Sequence, residues 1–187
     1  MGVTGRRYAL ELGLGLGLGL GLTALFGVGS ADAEKLKIPS TPPALAIGRI
    51  VAPGAGSFTA SVNAGSGLVT VGGGAVRLGP STVTTPTITV TCAGPPSNCK
   101  NTNYTIQLSH SSSSGGRGGT ITSFNISNFS GTGVTLQSQT TITNGLILNV
   151  RGTENDWSLS FKVGASVTFN AGSASGDTTI NYTIFAS

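Results

Sequence analysis

Residues 157–163 read Trp-Ser-Leu-Ser-Phe-Lys-Val, WSLSFKV, with Trp157, Leu159, Phe161 and Val163 separated by Ser158, Ser160 and Lys162. Successive side chains of a β-strand point to opposite faces, so this spacing puts four large apolar groups on one side and polar groups on the other. A helix would scatter the same residues around its axis, because positions two apart lie about 200° apart. The stretch is therefore a half-buried strand. The same two-residue period recurs outward from it in both directions. SFTASV (57–62), GLVTV (67–71), TPTITVTC (85–92), NYTIQLS (103–109) and TITSFNISNF (120–129) precede it. TLQSQTTIT (135–143) and LILNVRG (146–152) lead into it, and SVTFN (166–170) and TTINYTIF (178–185) follow it. Clusters of Gly, Ser and Asn separate these runs, and NAGS between the first two reads as a hairpin turn. About ten short strands and no helical period predict an all-β, antiparallel β-sandwich. A β-helix would show a fixed repeat, and none is present.

One alternating run does not belong to that set. Residues 12–22 read LGLGLGLGLGL, six leucines and five glycines. Glycine weakens a strand interior, and as a helix the run is apolar on every side, which suits lipid. Arg6 and Arg7 precede it, the apolar stretch continues to Val28, and Ala31-Asp32-Ala33 follows. That order of positive start, apolar centre and small-residue cleavage site predicts a signal-peptide helix over 1–33, cut after Ala33. Read instead as a retained anchor, the stretch is marginal for a bilayer core of about 30 Å. The expected organisation is a signal peptide (1–33), a polar, proline-rich N-terminal arm (34–46) and one sandwich domain (47–187). Export places the protein in the periplasm, at the cell surface or outside the cell, with no membrane span after cleavage.

Beyond the leader the charges are sparse and isolated: Lys35, Lys37, Arg49, Arg77, Lys100, Arg117, Arg151 and Lys162 against Glu34, Glu154, Asp156 and Asp177. Nucleic-acid binding needs clustered basic residues, so that class of partner is excluded. A protein built of strands usually guards its sheet edges with charge, lysine above all. This chain has little charge for that purpose. Either its own loops cover the edges or another chain pairs with them.

Cys92 and Cys99 enclose AGPPSN. In an oxidising compartment, two cysteines closing so short a loop predict a structural disulfide, here expected to pin the limbs of a hairpin. Closing a loop of this length contributes about 2.5 kcal/mol through the unfolded state. A redox-active pair would favour C-x-x-C, and a zinc site would need two further ligands where the chain has a single histidine.

Catalytic constellations are thin. His110 is the one base available to a nucleophilic serine, and it opens HSSSSGGRGG (110–119), a composition that reads as a mobile loop with a solvated histidine. Glu154 and Asp156 lie in GTENDW, where clustered oxygens would suit a calcium or sugar loop, but Asn155 and Asp156 fit a hairpin turn better. Four N-x-S/T sequons, at Asn103, Asn125, Asn128 and Asn181, match the chain's Asn- and Thr-rich composition. No catalytic residue, cofactor or metal ligand is expected.

Gly67-Leu68-Val69-Thr70-Val71, the strand Thr87–Thr91, Val163-Gly164-Ala165-Ser166-Val167 and the closing Gly176–Tyr182 are arranged in an order that resembles a family of bacterial secreted domains, domain of unknown function 4402. The resemblance spans roughly residues 47–185. It implies an exported, immunoglobulin-like or pilin-like sandwich of the kind found in pilus and spore-coat subunits, and it implies no catalytic residues.

Three functions are weighed. The first is a structural subunit of the envelope or surface, assembling with itself or with related subunits by strand addition. Ile180, Tyr182 and Ile184 alternate as such strands do, and Leu36, Ile38 and ALAI (44–47) offer an arm to donate. The same residues could equally fill the molecule's own core. The second is a carbohydrate- or matrix-binding module, which calls for an exposed aromatic platform, whereas the obvious aromatics alternate inward. The third is an enzyme dependent on His110. The first is the expected one.

Overall fold

The computed structural model describes residues 36–93, 99–114, 119–173 and 175–187. The predicted leader with Ala31 and Ala33, and the Gly94–Asn98 turn, lie outside the described residues. Twelve strands form two six-stranded antiparallel sheets, with no helix among the described residues. The first sheet contains β1 (Leu36–Lys37), β6 (Thr87–Cys92), β11 (Trp157–Phe169), β3 (Phe58–Val62) and β4 (Val69–Gly72), with β8 (Gly119–Thr132) along the other flank of β11. The second runs in the order β5 (Val76–Leu78), β2 (Leu45–Val51), β12 (Gly176–Ala186), β7 (Asn103–Ser114), β10 (Gly145–Gly152) and β9 (Val134–Ile142).

WSLSFKV starts β11, the strand that pairs with three others in the first sheet. Trp157, Leu159, Phe161, Val163, Ala165, Val167 and Phe169 are all buried along β11. Its first half pairs with β6, from Trp157 opposite Cys92 to Lys162 opposite Thr87. Its second half pairs on the same flank with β3, from Ala165 opposite Val62 to Phe169 opposite Phe58. The two runs read separately as 157–163 and 166–170 are thus one strand. Gly164 between them is a point of close approach and not a turn. At this hand-over the Asn125 side chain accepts from Ala64 N–H (2.8 Å) and donates to the Val62 carbonyl (3.0 Å).

The alternation found in the sequence points where it should. Ile88, Val90 and Cys92 are buried from β6, and Tyr104, Ile106 and Leu108 from β7. Leu146, Leu148 and Val150 come from β10, and Ile180, Tyr182 and Ile184 from β12. Phe58 stacks on Phe169 (centroids 4.6 Å apart), and Phe124 meets Tyr182 edge-on at 5.8 Å. Offset and edge-on pairs of this kind add to the area term, each by roughly 1 kcal/mol.

Three strands escape the sequence pattern. β1 and β5 are too short to show a period, and β2 breaks its own: Leu45 and Ile47 face inward, and then Ile50 does. The phase slips at Gly48, where the chain turns through φ +90° and the pairing with β12 skips a residue. A bulge of this kind inserts one residue and reverses which positions face the core. The segment read as an arm is therefore partly sheet, with Leu36 opposite Cys92 and Leu45 fully buried.

The disulfide between Cys92 and Cys99 is present. It ties β6 to the chain entering β7, and these strands belong to different sheets, so it pins a crossing between layers and not a hairpin. Both cysteines are buried; Cys92 Sγ lies 3.5 Å from the Tyr104 hydroxyl, and the Tyr104 and Trp157 rings lie 5.4 Å apart. The Cys99 carbonyl presses against Gly152, and this close approach leaves no room there for a β-carbon.

Candidate assembly edge

The positions singled out for chemistry do not converge. His110 is not in a loop: His110–Ser114 continue β7 and pair with β12, His110 lying opposite Tyr182. Its backbone N–H donates to the Asn144 carbonyl at 3.1 Å, and its Nδ1 is buried without a partner. Partial burial lowers its pKa, which disfavours a charged imidazole. The nearest acid along the neighbouring strand, Asp177, is five residues from Tyr182, roughly 17 Å at about 3.4 Å per residue. Asp177 is held by Arg49 at 3.3 Å on the surface. Glu154 and Asp156 lie in the 153–156 segment, which crosses from β10 in one sheet to β11 in the other, again not a hairpin. There the N–H groups of Thr153 and Glu154 both donate to the Gly133 carbonyl, at 2.8 and 3.2 Å. Among the described residues, no three of His, Cys, Asp and Glu gather as a metal site.

Ile180, Tyr182 and Ile184 are used in the chain's own sandwich. β7 flanks β12 from Thr179 to Ala186 and β2 flanks it from Gly176 to Ile180. Burial raises the Tyr182 pKa, since the phenolate would be poorly solvated where its hydroxyl lies.

The sheet margins are unequal. On one side of the sandwich stand β1, two residues long and followed by Pro39, Pro42 and Pro43, and β5, three residues long, with Arg77 at its centre and Pro80 after it. β4, with four residues, completes that side. Short strands, charge and proline are the usual means of blunting an edge. The opposite side is formed by β8 and β9, joined through Gly133. From residue 118 to residue 150 the chain contains no charged residue and no proline. Both strands of this margin lie in that stretch.

Within it, β8 is kinked by two register shifts, one of them at Asn128 with φ 52°. β9 has a single shift, where Gln137 is left over between Ser138 opposite Asn149 and Leu136 opposite Val150. Ser138–Ile142 then runs regularly against Gly145–Asn149. Residues from Gln137 to Thr141 are all exposed, on both faces of the strand. Gln139 and Thr141 lie opposite the buried Leu148 and Leu146, so they stand on the inward face of the sheet, yet the other sheet does not cover them. β9 thus overhangs the sandwich, with an unpaired outer row of backbone N–H and C=O groups among the described residues. Sequence reasoning raised the shortage of edge charge but did not locate the edge, because strand order depends on contacts distant in the chain.

Outside this margin, Phe185 is the exposed aromatic, at 59% of its full exposure, on the outer face of β12 opposite Gln107. No helix among the described residues is long and apolar enough to cross a membrane.

Comparison with known proteins gives one family and nothing further. No curated protein and no solved structure matches the chain. The model of a single family, described as domain of unknown function (DUF4402), matches residues 36–187, starting at the first residue of β1. With its two sheets, its disulfide and this match over nearly all of its described length, the chain belongs to the DUF4402 family.

Proposed function

We propose that this protein is an exported, non-catalytic structural component of the cell envelope or surface, an immunoglobulin-like, pilin-like sandwich that assembles by strand addition. The observation that carries this reading is the margin formed by β8 and β9, long, uncharged and free of proline, facing away from blunted edges on the other side. A strand edge of this kind offers main-chain hydrogen bonds to any extended segment laid beside it. The disulfide and the sequence pattern of residues 1–33 support export. Sizing and negative-stain microscopy of the exported protein test the reading. Discrete assemblies are expected, and a monomer at every concentration would overturn it.

Phe185 favours a second reading, as a carbohydrate- or matrix-binding module. An exposed ring beside Gln107, whose amide donates to Ser109 Oγ at 3.0 Å, is a stacking surface with polar neighbours. On that reading glycan binding is present and Phe185→Ala abolishes it, whereas an array on which the protein binds nothing removes the alternative.

A further inference from the structure

We infer that the partner received by this edge is a second copy of the same chain, joined through β9 in a closed, two-fold pair. The inference rests on the strand-addition reading and names its partner, its strand and its register. Four observations carry it. First, among the described residues only one side of the sandwich presents a long open edge. A head-to-tail fibre needs two complementary edges, and β1 and β5, with two and three residues, offer little to pair with. A single open edge closes upon itself, as an isologous interface does.

Second, β9 suits itself. Its regular half, Ser138-Gln139-Thr140-Thr141-Ile142, carries no charge, so an antiparallel copy meets no like-charge conflict. Centred on Thr140, the pairing sets Gln139 beside Thr141 and Ser138 beside Ile142, and Thr140 beside its own counterpart. Bulged Gln137 marks the end of the register.

Third, the outer face is continuous across the axis. Phe185, Gln107, Ile147 and Thr140 are successive cross-strand partners from β12 to β9. Doubling the sheet about Thr140 would extend this row through its mirror sequence in the second copy. Fourth, β1, the first strand of the described residues, lies on the margin away from β9 and leaves that strand uncovered.

The register makes the test specific. A charge placed at Thr140 lies against the same charge of the other copy, while opposite charges attract. The protein expressed from its full sequence is expected to size as a dimer. Thr140→Lys and Thr140→Glu are each expected to weaken association by about tenfold or more, and an equimolar mixture of the two to restore a mixed dimer. Thr135→Lys, on the far side of the bulge, leaves the dimer intact. Thermal melting within a few degrees of the unaltered protein confirms that each variant is folded. If both Thr140 variants remain dimers or larger assemblies, association uses another surface: the β9 proposal falls and strand addition elsewhere stands. If the unaltered protein is a monomer throughout, both fall together.

Discussion

Gly164→Val is expected to abolish folding, read as loss of the expressed protein or of its cooperative thermal transition. Gly164 marks where β11 changes neighbours from β6 to β3. A β-carbon there would sit 2.6 Å from Ala64 N and 2.6 Å from Asn125 Oδ1, and closer still to the Val62 carbonyl oxygen. Those atoms are backbone, or the side chain that bridges it, so none can swing aside. Asn125 would have to release both Ala64 N–H and the Val62 carbonyl. Each buried polar group left unpaired costs about 1–3 kcal/mol, to which the overpacking adds about 1–3 kcal/mol more. The sum approaches the entire stability of a domain of this size, about 5–15 kcal/mol. A Gly164→Val protein with an unchanged melting temperature would show that β3 and β11 do not meet as described.

Phe161→Ala carries the second-largest expected effect. Phe161 is fully buried in the first half of β11, opposite Ile88 on β6 and between Leu159 and Val163 on its own strand. Truncating a buried phenylalanine removes its transfer free energy and leaves a cavity, together about 3–5 kcal/mol. Denaturant unfolding should show the midpoint falling accordingly, with the slope preserved. Lys162→Ala, one residue on and pointing to the other face, should change stability by no more than about 0.5 kcal/mol. Equal effects at the two positions would mean that the alternation of WSLSFKV does not set the faces of the sheet.

That alternation is also what made most of the fold readable. Wherever a run keeps its two-residue period, as from Ile88 to Cys92 or from Ile180 to Ile184, the inward set in the structure is the set the sequence marks. The readings that missed share one cause, since each depends on atoms distant in the chain. Gly164 reads as a break because glycine usually punctuates; here it is required by Val62 and Asn125, which lie far away in sequence. β2 was hidden because the bulge at Gly48 reverses its phase midway. His110 followed its serine-rich neighbours into a loop, but β12 supplies a strand for it to pair with. Cys92 and Cys99 are close in sequence, which announces a bond but not that the bond joins two layers. The margin formed by β8 and β9 was half visible: the missing charge could be read from composition, while the strands that bear it could be found only from the order of strands in the sheets.

A rim made of amides and hydroxyls has one more property. Dissolved ions weaken attractions between charged groups over a Debye length of about 8 Å at physiological ionic strength, but they find nothing to screen between glutamine, serine and threonine. An association through β9, as proposed above, would therefore lose nothing to charge screening as the ionic strength rises.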